Sequence, residues 1–75
     1  MYYVYLLKDR VENRTYIGYT EDLNRRIREH RKRNPELVYY EAYKDEIDAG
    51  GRELTLKQRG QTVRRLKERL RRSLN

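Results

Sequence analysis

Tyr5, Tyr16, Arg26, His30 and Glu53 are the side chains whose types and spacing could do chemistry in this sequence. A tyrosine gives apolar bulk with a hydroxyl that can bond a phosphate, stack on a base or, once its pKa is lowered, take a proton. The chain holds eight tyrosines and neither Phe nor Trp, so the aromatic work falls to residues with that polar handle. Arg26 and His30 are four apart, and a helix would stack them on one side. Glu53 shares a predicted helix side with Ala49 and Leu56, and an acidic residue there needs a partner or a metal. With no cysteine and one histidine, Cys-ligated zinc is excluded and a His-built site is not expected. A metal would take oxygen ligands, which points to Mg²⁺ or Mn²⁺. Each residue also has a plainer reading. Tyr5 and Tyr16 could be core tyrosines, Arg26 an arginine snorkelling at a helix edge, and His30 a half-buried helix-face residue. Glu53 could form an i,i+4 pair with Lys57, worth about 0.2–0.5 kcal/mol.

The elements that must position these groups follow from pattern. YYVYLL, residues 2–7, is rich in β-formers and apolar on both faces, which predicts a central strand. Lys8 to Arg14 suits a hairpin connection, and TYIGY, residues 15–19, is the second strand. Gly18 inside it costs stability and marks a close approach of ligand or backbone. Thr20 is the expected N-cap of a first helix over 21–33, with Leu23, Ile27 and His30 on its inner face. Arg26 lies at the margin of that stripe, while Arg25, Arg28, Arg31 and Lys32 point outward. ELVYYEAY, residues 36–43, is a third strand, with Leu37, Tyr39, Glu41 and Tyr43 expected on one face. Asp45 caps a second helix over 46–59, interrupted in propensity by Gly50 and Gly51 at about 1 kcal/mol each. Gly60 is expected to end it. Thr62 then caps a third helix carrying Val63, Leu66, Leu70 and Leu74 as its apolar stripe. The order ββαβαα predicts a small α/β (α+β) sandwich, a three-stranded antiparallel sheet flanked by helices.

Seventy-five residues allow one domain, 1–75, with a thin core. Nineteen basic against 12 acidic residues give a formal charge of +7, which favours a polyanionic partner. No apolar run approaches the roughly 20 residues that cross a bilayer, so no membrane partner is expected. Met1 leads straight into YYVYLL with no basic segment before it, so a cytoplasmic protein is expected.

Taken together, the pieces resemble the GIY-YIG endonuclease superfamily, and most closely its small single-domain members. Tyr3-Val4-Tyr5 followed by Tyr16-Ile17-Gly18 looks like its paired motif, with Tyr3 where the leading glycine stands. The catalytic arginine eight residues after the YIG glycine corresponds to Arg26, and a histidine four later to His30. Ala49, Arg52, Glu53, Leu56 and Lys57 match the pattern A-x-x-R-E-x-x-[LI]-K of the metal-binding helix. The resemblance implies a Mg²⁺- or Mn²⁺-dependent endonuclease or nickase hydrolysing phosphodiester bonds in DNA. Glu53 would hold the metal, Arg26 would stabilise charge on the phosphate, and Tyr5 is the likelier base, with Tyr16 a phosphate or water contact. His30 would bond a phosphate oxygen or assist proton transfer, and Gly18, Arg25 and Lys57 would face the nucleic acid. The DNA could be branched or damaged. Specificity is expected to be low or supplied by a protein partner. The alternative is a non-catalytic nucleic-acid-binding module with the same fold.

Overall fold

The computed structural model describes residues 1–30 and 35–75. Three antiparallel strands form one sheet: β1 (Tyr2–Asp9), β2 (Arg14–Thr20) and β3 (Pro35–Tyr43), in the order β2-β1-β3. The doubly apolar first strand is therefore the central one, as expected, with Val4, Tyr5, Leu6 and Leu7 all buried. Its hairpin to β2 closes over residues 10–13. The Asp9 carboxylate accepts from the amides of Val11 and Glu12, and Asn13 takes a positive φ of 56°, a conformation asparagine tolerates better than most residues. β1 pairs Tyr5 with Gly18 on one side and Tyr40 on the other; Leu7 pairs with Tyr16 and Leu37. The register of β3 shifts between Leu6 and Leu7. Leu37 consequently shares a face with Leu7, while Tyr39, Glu41 and Tyr43 oppose Leu6, Val4 and Tyr2. This corrects the expectation of one unbroken Leu37-to-Tyr43 face, since a bulge flips the side chains on one side of it.

Among the described residues four helices complete the fold: α1 (Leu23–Glu29), α2 (Glu46–Gln58), α3 (Gly60–Arg69) and α4 (Arg71–Leu74). α2 and α3 cover the Val4 face, where Val4, Ala49, Leu56 and Leu66 form the buried core with Tyr2, Ile17, Tyr19, Tyr39, Tyr43, Val63 and Leu70 around it. α1 lies on the other face, where Leu23 and Ile27 line a groove with Tyr3, Leu37 and Tyr40. Its N-cap is Asp22, not Thr20: the Asp22 carboxylate accepts from the Arg25 amide at 3.0 Å. Thr20 instead bonds the amide and carbonyl of Asp22, two residues too early to cap. The expected continuation of α1 over 31–33, with Arg31 and Lys32 outward, lies outside the described residues. Asp45 does cap α2, accepting from Ile47 and Asp48, and α2 runs unbroken through Gly50 and Gly51. Gly60 does not end it. Arg59 is extended and serves as the C-cap of one helix and the N-cap of the next. Thr62 lies inside α3, its amide bonded to the Arg59 carbonyl. Leu70 interrupts the expected third helix, and α4 is tied to the hairpin end of β1 by a bond from Lys8 Nζ to the Leu74 carbonyl at 2.5 Å. No helix among the described residues is long and apolar enough to cross a membrane.

Candidate active site

The glycine of β2 has a steric explanation. A Cβ built on Gly18 would lie 2.2 Å from both Cζ and Oη of Tyr5, far inside van der Waals contact. The Tyr5 ring therefore runs from the central strand across Gly18 of the edge strand, and only glycine leaves room for it. There the phenol feels groups from both flanking helices. Burial raises its pKa above the ordinary tyrosine value; Arg26 of α1 pulls it down, while Glu53 of α2 and Glu29 push it up. Tyr5, Arg26 and Glu53, far apart in sequence and drawn from separate elements, thus share one electrostatic neighbourhood at the β2 edge.

Arg26 keeps an unsatisfied donor. It is half-buried on α1, and its Nη1 stands 3.5 Å from Glu29 Oε2. Its Nε is buried and has no hydrogen-bond partner among the described residues, an unsatisfied donor that costs free energy until an acceptor arrives. His30 caps the C-terminus of α1 and lines a cleft of about 270 Å³ with Leu7, Asp9, Tyr16 and Pro35. Tyr16 and His30 are therefore brought together two residue pairs along the sheet from Tyr5 and Gly18. The Tyr16 hydroxyl also reaches Glu12 Oε2 at 3.5 Å. Arg25 is exposed, its Nε 3.7 Å from Glu29 Oε1.

Glu53 is 24% exposed and pairs with Lys57, Nζ to Oε2 at 3.3 Å. The plain i,i+4 pair is thus present, but it leaves the carboxylate in reach of the Tyr5 phenol's field. No cluster of three or more His, Cys, Asp or Glu side chains occurs among the described residues. One half-buried carboxylate beside a phenol fits a hard cation such as Mg²⁺, which keeps several waters and takes remaining ligands from substrate phosphate. It does not fit zinc.

Sequence reasoning missed what holds α2 in place. Arg52, next to Glu53, grips Glu41 of β3 through three hydrogen bonds: Nε to Oε1 at 2.9 Å, Nε to Oε2 at 3.1 Å and Nη2 to Oε2 at 2.9 Å. Tyr39 donates to the same carboxylate at 2.6 Å, and Tyr43 donates to it as well. Burial acts to raise the Glu41 carboxyl, but hydrogen bonds from Arg52, Tyr39 and Tyr43 outweigh it and hold the pKa low. Burial and the bond to Glu41 push the Tyr43 phenol up to about 12. The available signal was the Tyr-x-Glu-x-Tyr alternation of β3, which sets an acid between two phenols on one face.

No curated protein and no solved structure matched the chain. The family model described as the GIY-YIG catalytic domain matches residues 1–67, a span that takes in both strand motifs, α1 with Arg26 and α2 with Glu53. On that match the chain belongs to the GIY-YIG family, a family of nucleases.

Proposed function

We propose that the protein is a divalent-metal-dependent endonuclease or nickase that hydrolyses phosphodiester bonds in DNA, with Mg²⁺ or Mn²⁺ as its metal. Family membership supports a nuclease acting on DNA, and nucleases of this family are generally divalent-metal dependent. The observation that carries the reading is the orphaned Arg26 Nε beside the Tyr5 phenol and the Glu53 carboxylate. A scissile phosphate placed there would satisfy that donor, and the guanidinium would stabilise the charge that builds on the non-bridging oxygens. Glu53 would hold the metal, which when bound supplies a Lewis acid for the phosphate and leaving oxygens. Tyr5 is the base: its phenolate takes a proton from the attacking water, and its tight seat on Gly18 fixes the oxygen's position. Arg26 favours that phenolate, and Glu53's opposing push on it is relieved once the carboxylate charge is balanced. Tyr16 and His30, sharing a cleft beside Tyr5, orient water or bond a phosphate oxygen. Arg25 and Lys57 meet the flanking nucleic acid, and Gly18 contributes by seating the Tyr5 ring.

Incubation of the protein with supercoiled plasmid tests this. Nicking is expected with Mg²⁺ or Mn²⁺ and is expected to stop with EDTA. Retardation of duplex, branched and single-stranded DNA with no metal-dependent nicking would identify a binding module instead.

A further inference from the structure

The basic residues are not spread evenly. Residues 60–74 carry Arg64, Arg65, Lys67, Arg69, Arg71 and Arg72 against Glu68 alone. Glu68 sits on a different groove from the one of interest, with Val63, Arg64, Lys67 and Arg71. Between α2 and α3 lies a groove of about 180 Å³ lined by Arg52, Thr62, Arg65, Leu66 and Arg69. Arg52 reaches from this groove to Glu41 on β3, the sheet edge opposite to β2. The groove therefore opens toward the β3 side of the sheet, whereas the Tyr5 ring lies over Gly18 at the β2 edge.

Its charge is unbalanced. Glu41 is the carboxylate at hand, and it already accepts from Arg52, Tyr39 and Tyr43. Arg65 and Arg69 form no salt bridge among the described residues. They stand at i and i+4, a like-charge spacing that costs about 0.2–0.5 kcal/mol in an isolated helix. The fold gains nothing visible from that repulsion, whereas an oxyanion between the two would reverse its sign. Planar guanidinium groups bind phosphate oxygens with two parallel bonds, which lysine cannot do, and the Thr62 hydroxyl adds a neutral donor at the same mouth.

We propose that the α2–α3 groove is a second phosphate site, in which Arg65, Arg69 and Thr62 hold a nucleic-acid backbone segment distinct from the one presented to Tyr5, Arg26 and Glu53. The groove stands on its own charge and geometry, and only the identity of the partner as DNA rests on the nuclease reading.

The test is fluorescence-anisotropy titration of a short labelled duplex with the full chain in EDTA, repeated over a range of salt. Each phosphate contact adds about 0.9 to the slope of log affinity against log salt, so R65A/R69A should lower the slope by about 2 and weaken binding about tenfold or more. R14A/K44A removes the same charge elsewhere and should change both far less. R65Q/R69Q replaces the alanine pair should that variant fail to fold, as judged by thermal melting. An unchanged slope in R65A/R69A overturns the proposal, as does an equal loss in both charge-matched variants, which would reduce the effect to net charge. It is also overturned if R65A/R69A loses binding to phosphatidylserine vesicles while duplex binding stays the same. Plasmid nicking by the wild type is scored separately. A slope loss without any nicking would sink the nuclease reading and leave the groove standing; nicking with an unchanged slope would do the reverse.

Discussion

Glu53 and Tyr5 make opposite demands on a test. Glu53→Ala is expected to abolish cleavage with the fold intact, and duplex affinity in EDTA should hold or tighten, because a negative charge near the phosphate is removed. If Glu53 served only its ion pair with Lys57, the variant would nick at the wild-type rate and lose a few tenths of a kcal/mol, roughly the worth of an exposed pair. Tyr5→Phe keeps the ring on Gly18 and deletes only the oxygen. It should slow nicking by about 10²–10⁴-fold, the usual range for a general base, without a fall in melting temperature. The wild-type rate should also climb with pH through the alkaline range, because burial holds the phenol above its ordinary value and the proposed mechanism runs through the phenolate. A Tyr5→Phe profile with the same alkaline rise would remove Tyr5 from the chemistry.

At the scale of elements, α2 carries a cost that the fold does not explain. A Cβ added at Gly50 or Gly51 meets nothing within 4 Å, and neither glycine has positive φ. Gly50→Ala and Gly51→Ala should therefore each stabilise the protein by about 0.5–1 kcal/mol, read as a rise in denaturation midpoint. The Arg52–Glu41 grip predicts the pH response of the same helix. The Glu41 pKa is lowered in the folded state, so its stabilisation is fully present above the unfolded value of about 4.3 and is lost as pH falls through the lower folded value. Glu41→Gln should flatten that acid limb. It should also destabilise at neutral pH by about 2–3 kcal/mol, less than a fully buried broken pair, since Arg52 is 28% exposed. An unaltered acid limb in urea titrations would show that Glu41 does not anchor α2.

For the whole molecule, charge and size act together. A formal +7 on 75 residues leaves much of the surface facing cations, and two arginine-bearing helices, α1 and α3, flank opposite faces of the sheet. Duplex affinity should fall steeply with salt through counterion release, about 10³–10⁵-fold between 50 and 200 mM for 6–10 phosphate contacts. Binding indifferent to salt would contradict an electrostatic interface. The thin core explains why polar devices recur in the fold. Asp9 is buried and fastens the hairpin, and α4 is held by bonds from Lys8 and Arg10 to its terminal carbonyls.

The sequence alone determined whatever depends on local periodicity. The doubly apolar YYVYLL announced a central strand, the Leu23-Ile27-His30 spacing placed Arg26 at a helix margin, and Asp45 marked the start of α2. The candidate residues were legible too, because Tyr16-Ile17-Gly18 and the Arg52-Glu53 helix are short motifs. Tertiary structure decided what depends on partners distant in the chain. Gly18 is required by the ring of Tyr5, 13 residues away on the neighbouring strand. The bulge that separates Leu37 from Tyr39 arises from pairing with β1. The cap of α1 passed from Thr20 to Asp22 because the strand hydrogen-bonds through Thr20 before the chain can turn. Glu41 is anchored by Arg52 eleven residues on, a contact made only when α2 folds back over the sheet. Periodicity reports which way a side chain faces within its own element; which atoms it meets there is fixed by packing between elements.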